Sequence, residues 1–169
     1  MTTCPVVVVG AGPAGAVAAL VLARAGVPVL LVDRAAFPRD KLCGDTVNPG
    51  TLVILRRLGV ADDLDARGLR IDGMRLSGVG GVVVDALYPR GLHGVSILRR
   101  DLDASLVEHA VAAGATFESG VIVREPIVRD DNGVRVVEGV VIDAGGRRER
   151  WPASVVIAAD GRRSTIAFA

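Results

Sequence analysis

The hydrophobic positions of this chain fall into short unbroken runs more often than into alternating ones. Val6 to Val9 and Pro28 to Val32 are continuous and rich in β-branched residues. Runs of that length and type predict strands buried on both faces, as in a parallel sheet. Between them the Ala- and Leu-rich stretch from Pro13 to Ala25 predicts a helix, and Gly26 stops it. Strand, helix and strand together make a β-α-β unit, the second strand ending at Asp33. A further buried strand is predicted from Val155 to Ala159.

The remaining pattern is more broken. Arg34 to Thr46 reads as a loop, after which Asn48 caps and Pro49 opens a helix that reaches Leu58 before Gly59. Segments 70–76, 82–87 and 95–98 predict short strands of a small antiparallel insertion. Asp101 to Ala113 predicts an amphipathic helix with Leu102, Leu106, His109 or Ala110, and Ala113 on one face, followed by a strand over 115–118. Segments 121–128, 134–142 and 147–151 predict a meander whose turns are Asp131-Asn132-Gly133 and Ala144-Gly145-Gly146. The expected fold is α/β. Right-handed crossovers place the parallel strands in the order 115–118, 28–32, 6–9, 155–159, with the meander on one side.

Composition narrows the chemistry. Half of the residues are hydrophobic but only 3% are aromatic, so the core must be built from Val, Leu, Ile and Ala. Twenty basic residues face 19 acidic ones without a basic tract, and there are few rings for bases to stack on; nucleic acid is not expected as a partner. Cys4 and Cys43 form no C-x-x-C pair, and His93 and His109 have no ligand spacing, which argues against a metal site or a disulfide scaffold. Met1 to Pro5 carries no Lys or Arg, unlike a signal peptide. The apolar stretch 17–32 is broken by Arg24, Gly26 and Pro28, unlike a transmembrane segment. A cytoplasmic protein is expected, with peripheral membrane contact left open.

The strongest chemical signal is Gly10-Ala11-Gly12-Pro13-Ala14-Gly15, a G-x-G-x-x-G turn between a strand and a helix, with Asp33 eighteen residues after Gly15. Gly10 permits the tight turn, Gly12 lets a pyrophosphate reach the backbone, and Gly15 lets helix and strand pack closely. The free N–H groups and dipole of the helix start attract the phosphates. Asp33 is placed to accept hydrogen bonds from the adenosine ribose and to repel a 2′-phosphate. The fingerprint does not by itself separate FAD from NAD.

Val9 to Gly15 with Asp33-Arg34 resembles flavoproteins of the aromatic-hydroxylase fold. Leu98 to Leu106 resembles the R-x-x-L-D-x-x-L helix start of that group, and Ala159 to Ile166 resembles its A-D-G-x-x-S-x-V segment, except that Ala167 stands where Arg is usual. The resemblance implies FAD as cofactor. It places Arg99 beside FAD and Asp160-Gly161 near the pyrophosphate and ribose. The site residues it implies, with those of the fingerprint, are Gly10, Gly12, Pro13, Ala14, Gly15, Asp33, Arg34, Lys41, Cys43, Gly44, Arg99, Asp160 and Gly161. Read without the resemblance, Arg99 is equally a partner of Asp101 or Asp103, and Asp160-Gly161 an ordinary turn.

Phe37-Pro38-Arg39-Asp40-Lys41-Leu42-Cys43-Gly44 resembles the F-P-R-x-K-x-C-G segment of the geranylgeranyl reductase-like branch. That resemblance implies a loop running along FAD with Cys43-Gly44 close to the flavin ring and Cys43 as a candidate catalytic residue. Lys41 or Arg39 could lower the thiol pKa; equally, both are solvated charges and Cys43 is packing. The expected function is therefore the FAD-binding part of a reductase acting on C=C bonds of a prenyl or other lipid small molecule, with NAD(P)H or another reductant as electron donor. A flavin monooxygenase or halogenase, and a non-catalytic nucleotide-binding fragment, are the alternatives. Residues 1–169 are read as one FAD-binding domain carrying part of a substrate-domain insertion at about 70–98. The resemblance further implies that a third FAD segment and most of a substrate domain are absent, so that this chain alone is not a competent enzyme.

Overall fold

The structure is a computed structural model and describes residues 6–169; Cys4 lies outside the described residues. In chain order the elements are β1 (Val6–Val9), α1 (Pro13–Arg24), β2 (Val29–Asp33), β3 (Thr46–Val47), α2 (Pro49–Arg57), α3 (Ala61–Arg67), β4 (Leu69–Ile71), β5 (Gly73–Ser77), β6 (Val83–Leu87), β7 (Gly94–Ser96), α4 (Arg99–Ala112), β8 (Thr116–Ser119), β9 (Ile122–Asp131), β10 (Val134–Ala144), β11 (Arg147–Pro152) and β12 (Val155–Ala158). The described residues form two compact units, one made of residues 6–39 and 106–169, the other of residues 40–105.

The first unit holds a parallel sheet in the order β12-β1-β2-β8. This is the strand order that the crossover rule predicts. Val6 pairs with Val29 on one side and Val155 on the other, and the register runs unbroken to Val9. Every residue of β1 is buried, which is why an uninterrupted valine run can form it. Beside the sheet, β9, β10 and β11 make the antiparallel meander. Its hairpin turns carry Asn132 and Gly133 at φ 55° and 85°, and Gly145 and Gly146 at φ 59° and 79°. Two consecutive positive φ values are what a two-residue hairpin turn needs, and they match the right-handed strand twist. Val7, Val9 and Val32 of the sheet pack with Val123, Val140 and Ile142 of the meander in one buried cluster. Helix α1 packs on β1 and β2.

The second unit corrects several expectations. The predicted insertion resolves into two sheets, β3-β7-β4 and the hairpin β5-β6. Strand β3 begins at Thr46, within the segment read as loop, because its backbone pairs with β7 fifty residues away. Helix α3 was not anticipated; its signals are Asp62 and Asp63 in the first turn, Arg67 in the last and Gly68 at the cap. Helix α2 has the expected cap, with the Asn48 side chain accepting from the Thr51 N–H. Helix α4 starts at Arg99, two residues earlier than the periodicity suggests. Its buried side includes Leu102, Leu106 and Ala110, as expected, and also Asp103 and Ser105, both 0% exposed. Among the described residues no helix is long and apolar enough to cross a membrane.

Candidate functional site

The turn after β1 shows why three glycines recur there. Gly10 has φ +101°, and a Cβ on it would lie 2.4 Å from the Ala159 carbonyl oxygen. A Cβ on Gly15 would lie 1.8 Å from the Gly10 carbonyl oxygen. Both positions are closed to any side chain by backbone. Gly12 differs: at φ −72° and ψ −177° it is extended backbone that any residue adopts. It is the N-cap of α1 and makes no side-chain cap bond, with Pro13 opening the helix. The first N–H groups of α1 therefore have no side-chain acceptor at the cap, a geometry suited to an anion.

Asp33 ends β2 and is only 8% exposed. Its Oδ2 accepts from the Ala11 N–H at 2.8 Å, and its Oδ1 from the Ala35 N–H at 2.9 Å. A carboxylate has about four acceptor positions, so lone pairs remain for a ligand. Asp33 lines a cleft of about 280 Å³ with Gly10, Arg34, Arg124, Asp160 and Arg163. Arg34 is exposed. Asp160 is more than a turn residue. Its carboxylate accepts from the Ser164 hydroxyl and the Thr165 N–H at 2.5 and 2.6 Å, which ties down the segment after Gly161 (φ +93°). The glycine turn, Asp33, Arg34 and Asp160 are thus brought together at the carboxyl ends of β1, β2 and β12, the end at which open α/β sheets take ligands.

The second unit gathers Lys41, Cys43 and Arg99 around a cavity of about 330 Å³, together with Asp45 and Arg100. Asp45 builds it. At φ 48°, its carbonyl accepts from the Ile97 N–H and the Ser96 hydroxyl, and its carboxylate accepts from the Arg99 N–H. Those bonds fasten the cysteine loop to the start of α4. Arg99 donates to the buried Asp103 through Nε and Nη2 at 2.9 and 3.0 Å. The same guanidinium hydrogen-bonds the exposed Cys43 thiol and, with the Asp45 and Gly44 backbone, holds its pKa below the ordinary thiol value. This corrects the expectation that Lys41 or Arg39 does so. Lys41 is exposed, and Arg39 is engaged elsewhere: its guanidinium lies 3.7 Å from Asp33 and over the Phe37 ring. The reading of Arg39 as a solvated charge fails with it, since its side chain is 15% exposed. Asp45 was missed because an Asp in a loop gives no sign of the helix it will cap.

A parallel sheet with an N-terminal glycine turn, an uncapped helix and an acid at the end of the second strand defines a nucleotide-binding domain of the dinucleotide type. Residues 3–168 match the FAD binding domain family, and the chain belongs to it. It is 41% identical over 167 residues to a menaquinone reductase of Mycolicibacterium smegmatis, covering 98% of this chain and 39% of that protein. It is 36% identical to a geranylgeranyl diphosphate reductase of Rhodobacter capsulatus, covering 94% of this chain and 38% of that protein. The structure of a myxobacterial chondrochloren halogenase shares the fold with a TM-score of 0.88 at 22% identity, covering 98% of this chain and 39% of that one. The chain thus spans about two fifths of the length of these proteins.

Proposed function

We propose that these residues are the FAD-binding part of a reductase that saturates C=C bonds in an isoprenoid lipid. The observation that carries the cofactor half is Asp33, a buried carboxylate held by two backbone amides at the rim of the glycine turn. There it accepts hydrogen bonds from the adenosine ribose. The N–H groups that follow Pro13 in the first turn of α1, the helix capped by Gly12, take the pyrophosphate. Arg34 lies beside the adenosine end, and Asp160-Gly161 beside the ribose and pyrophosphate. Within the second unit, Lys41, Cys43 and Arg99 form a polar surface of their own, and Gly44, next to Cys43, carries no Cβ. Bound FAD supplies a hydride from its reduced ring.

The substrate half rests on the two relatives, whose names specify a quinone and a diphosphate that both bear isoprenoid chains. Saturating one double bond adds a hydride and a proton, and NAD(P)H is the proposed source of the electrons. The test is to load with FAD the full-length reductase that carries these residues, reduce it anaerobically with dithionite and add geranylgeranyl diphosphate. Flavin reoxidation with a product heavier by two hydrogen atoms is expected. Reoxidation only with O₂, with an oxygenated or halogenated product, points instead to a monooxygenase or halogenase. Binding of FAD without any turnover points to a nucleotide-binding fragment.

A further inference from the structure

The first half of the Phe37–Gly44 loop has a role separate from its cysteine. We propose that Arg39 is a positioning residue for the adenosine ribose, acting through Asp33; the proposal rests on the reading of Asp33 given above. The guanidinium of Arg39 reaches Asp33 rather than the wall of the cleft, so the role proposed for it is exerted through the carboxylate.

Asp33 is a nearly buried carboxylate, and burial of a charge is costly unless it is compensated. Two amide N–H groups bond it, but both belong to backbone and carry no net charge. The Arg39 guanidinium, with Nη2 3.7 Å from Oδ2, brings the opposite charge to the same oxygen that Ala11 bonds. It is itself supported from below. Its central carbon lies 5.0 Å from the centroid of the Phe37 ring, within cation–π range. Phe37 in turn packs edge-on against Phe117 of β8, with centroids 5.2 Å apart and planes at 78°. A line of contacts thus runs from the outermost strand through two rings and one guanidinium to the acid. Only three Phe occur in the chain, and two of them serve this one arginine. The consequence is a carboxylate with compensated charge and fixed orientation, presenting its remaining lone pairs to the cleft. Without Arg39 the carboxylate loses the cation 3.7 Å from its Oδ2, and it is free to turn toward water or the other arginines of the cleft and away from the ribose.

The test compares binding of ADP with that of its dideoxy analogue, which lacks both ribose hydroxyls, by calorimetry on the intact 169-residue protein. The unsubstituted protein is expected to prefer ADP, and Asp33→Ala to abolish the preference. Arg39→Leu is expected to cut the preference about tenfold although it touches no ligand atom, the loss of a hydrogen bond to a charged group. Arg39→Lys should restore part of it, because charge returns without the planar fit over Phe37. If Arg39→Leu does not fold, Arg39→Gln decides, since it keeps a long polar side chain and loses only the charge. A wild-type preference retained in the Leu or Gln variant overturns the proposal while leaving Asp33 in place. No preference in the unsubstituted protein, or none lost in Asp33→Ala, overturns the Asp33 reading and the Arg39 proposal together. A purely structural Arg39 would lower the melting temperature without changing the ratio of the two affinities, and that result also overturns it.

Discussion

At the scale of single residues, the three glycines of the fingerprint divide into two kinds. Gly10 and Gly15 are required by the fold, because backbone oxygens occupy the space of their side chains. Gly15→Ala should therefore cost more than about 2 kcal/mol in stability, readable as a fall in denaturation midpoint. Gly12 has an ordinary extended conformation, so its backbone does not call for glycine, and the proposed reason for it is the pyrophosphate. Gly12→Val should leave the melting temperature close to that of the parent and remove FAD binding; FAD retained at unchanged affinity would contradict the phosphate assignment. Cys43 makes a pH prediction. Arg99 favours the thiolate, so in a Cys4→Ser background the rate of alkylation by iodoacetamide should rise at a lower pH than for an ordinary thiol. Arg99→Gln should move that midpoint upward, and a profile unmoved by the substitution would count against the contact.

At the scale of elements, local signals worked where a helix or turn carries its own instructions. Asn48 and Pro49 specify the start of α2, and Asn48→Ala should lower stability by about 1 kcal/mol, measured by chemical denaturation. Asn132-Gly133 and Gly145-Gly146 specify their hairpins for the same reason: the conformation needed is one that few residues adopt. Elements defined by distant partners were not visible. The two residues of β3 form a strand only because β7 offers its edge. The start of α4 carries no local signal, because its cap comes from Asp45, 54 residues earlier in the chain. Asp103 and Ser105 sit on a buried side of α4 that periodicity assigns to apolar residues; Arg99 satisfies the first and Asp63 the second.

At the scale of the whole molecule, stability is unevenly distributed. The residues of β1 are at most 7% exposed, whereas Met74, Leu76, Val83, Val84 and Leu87 of the β5-β6 hairpin are all more than half exposed. A two-stranded ribbon with exposed side chains is marginal by itself. Amide hydrogen exchange should accordingly be fastest in 73–87 and slowest in β1 and β2; equal protection in the two regions would contradict the exposures.

The sequence by itself determined the parallel sheet and its strand order, the meander and the nucleotide-binding turn. Each depends on information carried within a few residues or on the handedness of a single crossover. It also carried the family, since the motifs of the resemblance lie in order along the chain. Tertiary structure alone decided which charges meet. Arg39 reads as a solvated loop cation until Phe37 and Phe117 are stacked beneath it. Cys43 reads as a neighbour of Lys41 until Asp45 fastens its loop to α4 and brings Arg99 to the thiol. The reason is physical: a hydrophobic run imposes its burial wherever the chain goes, whereas an ion pair or a hydrogen bond exists only at a distance of a few ångströms, and only the folded chain sets that distance.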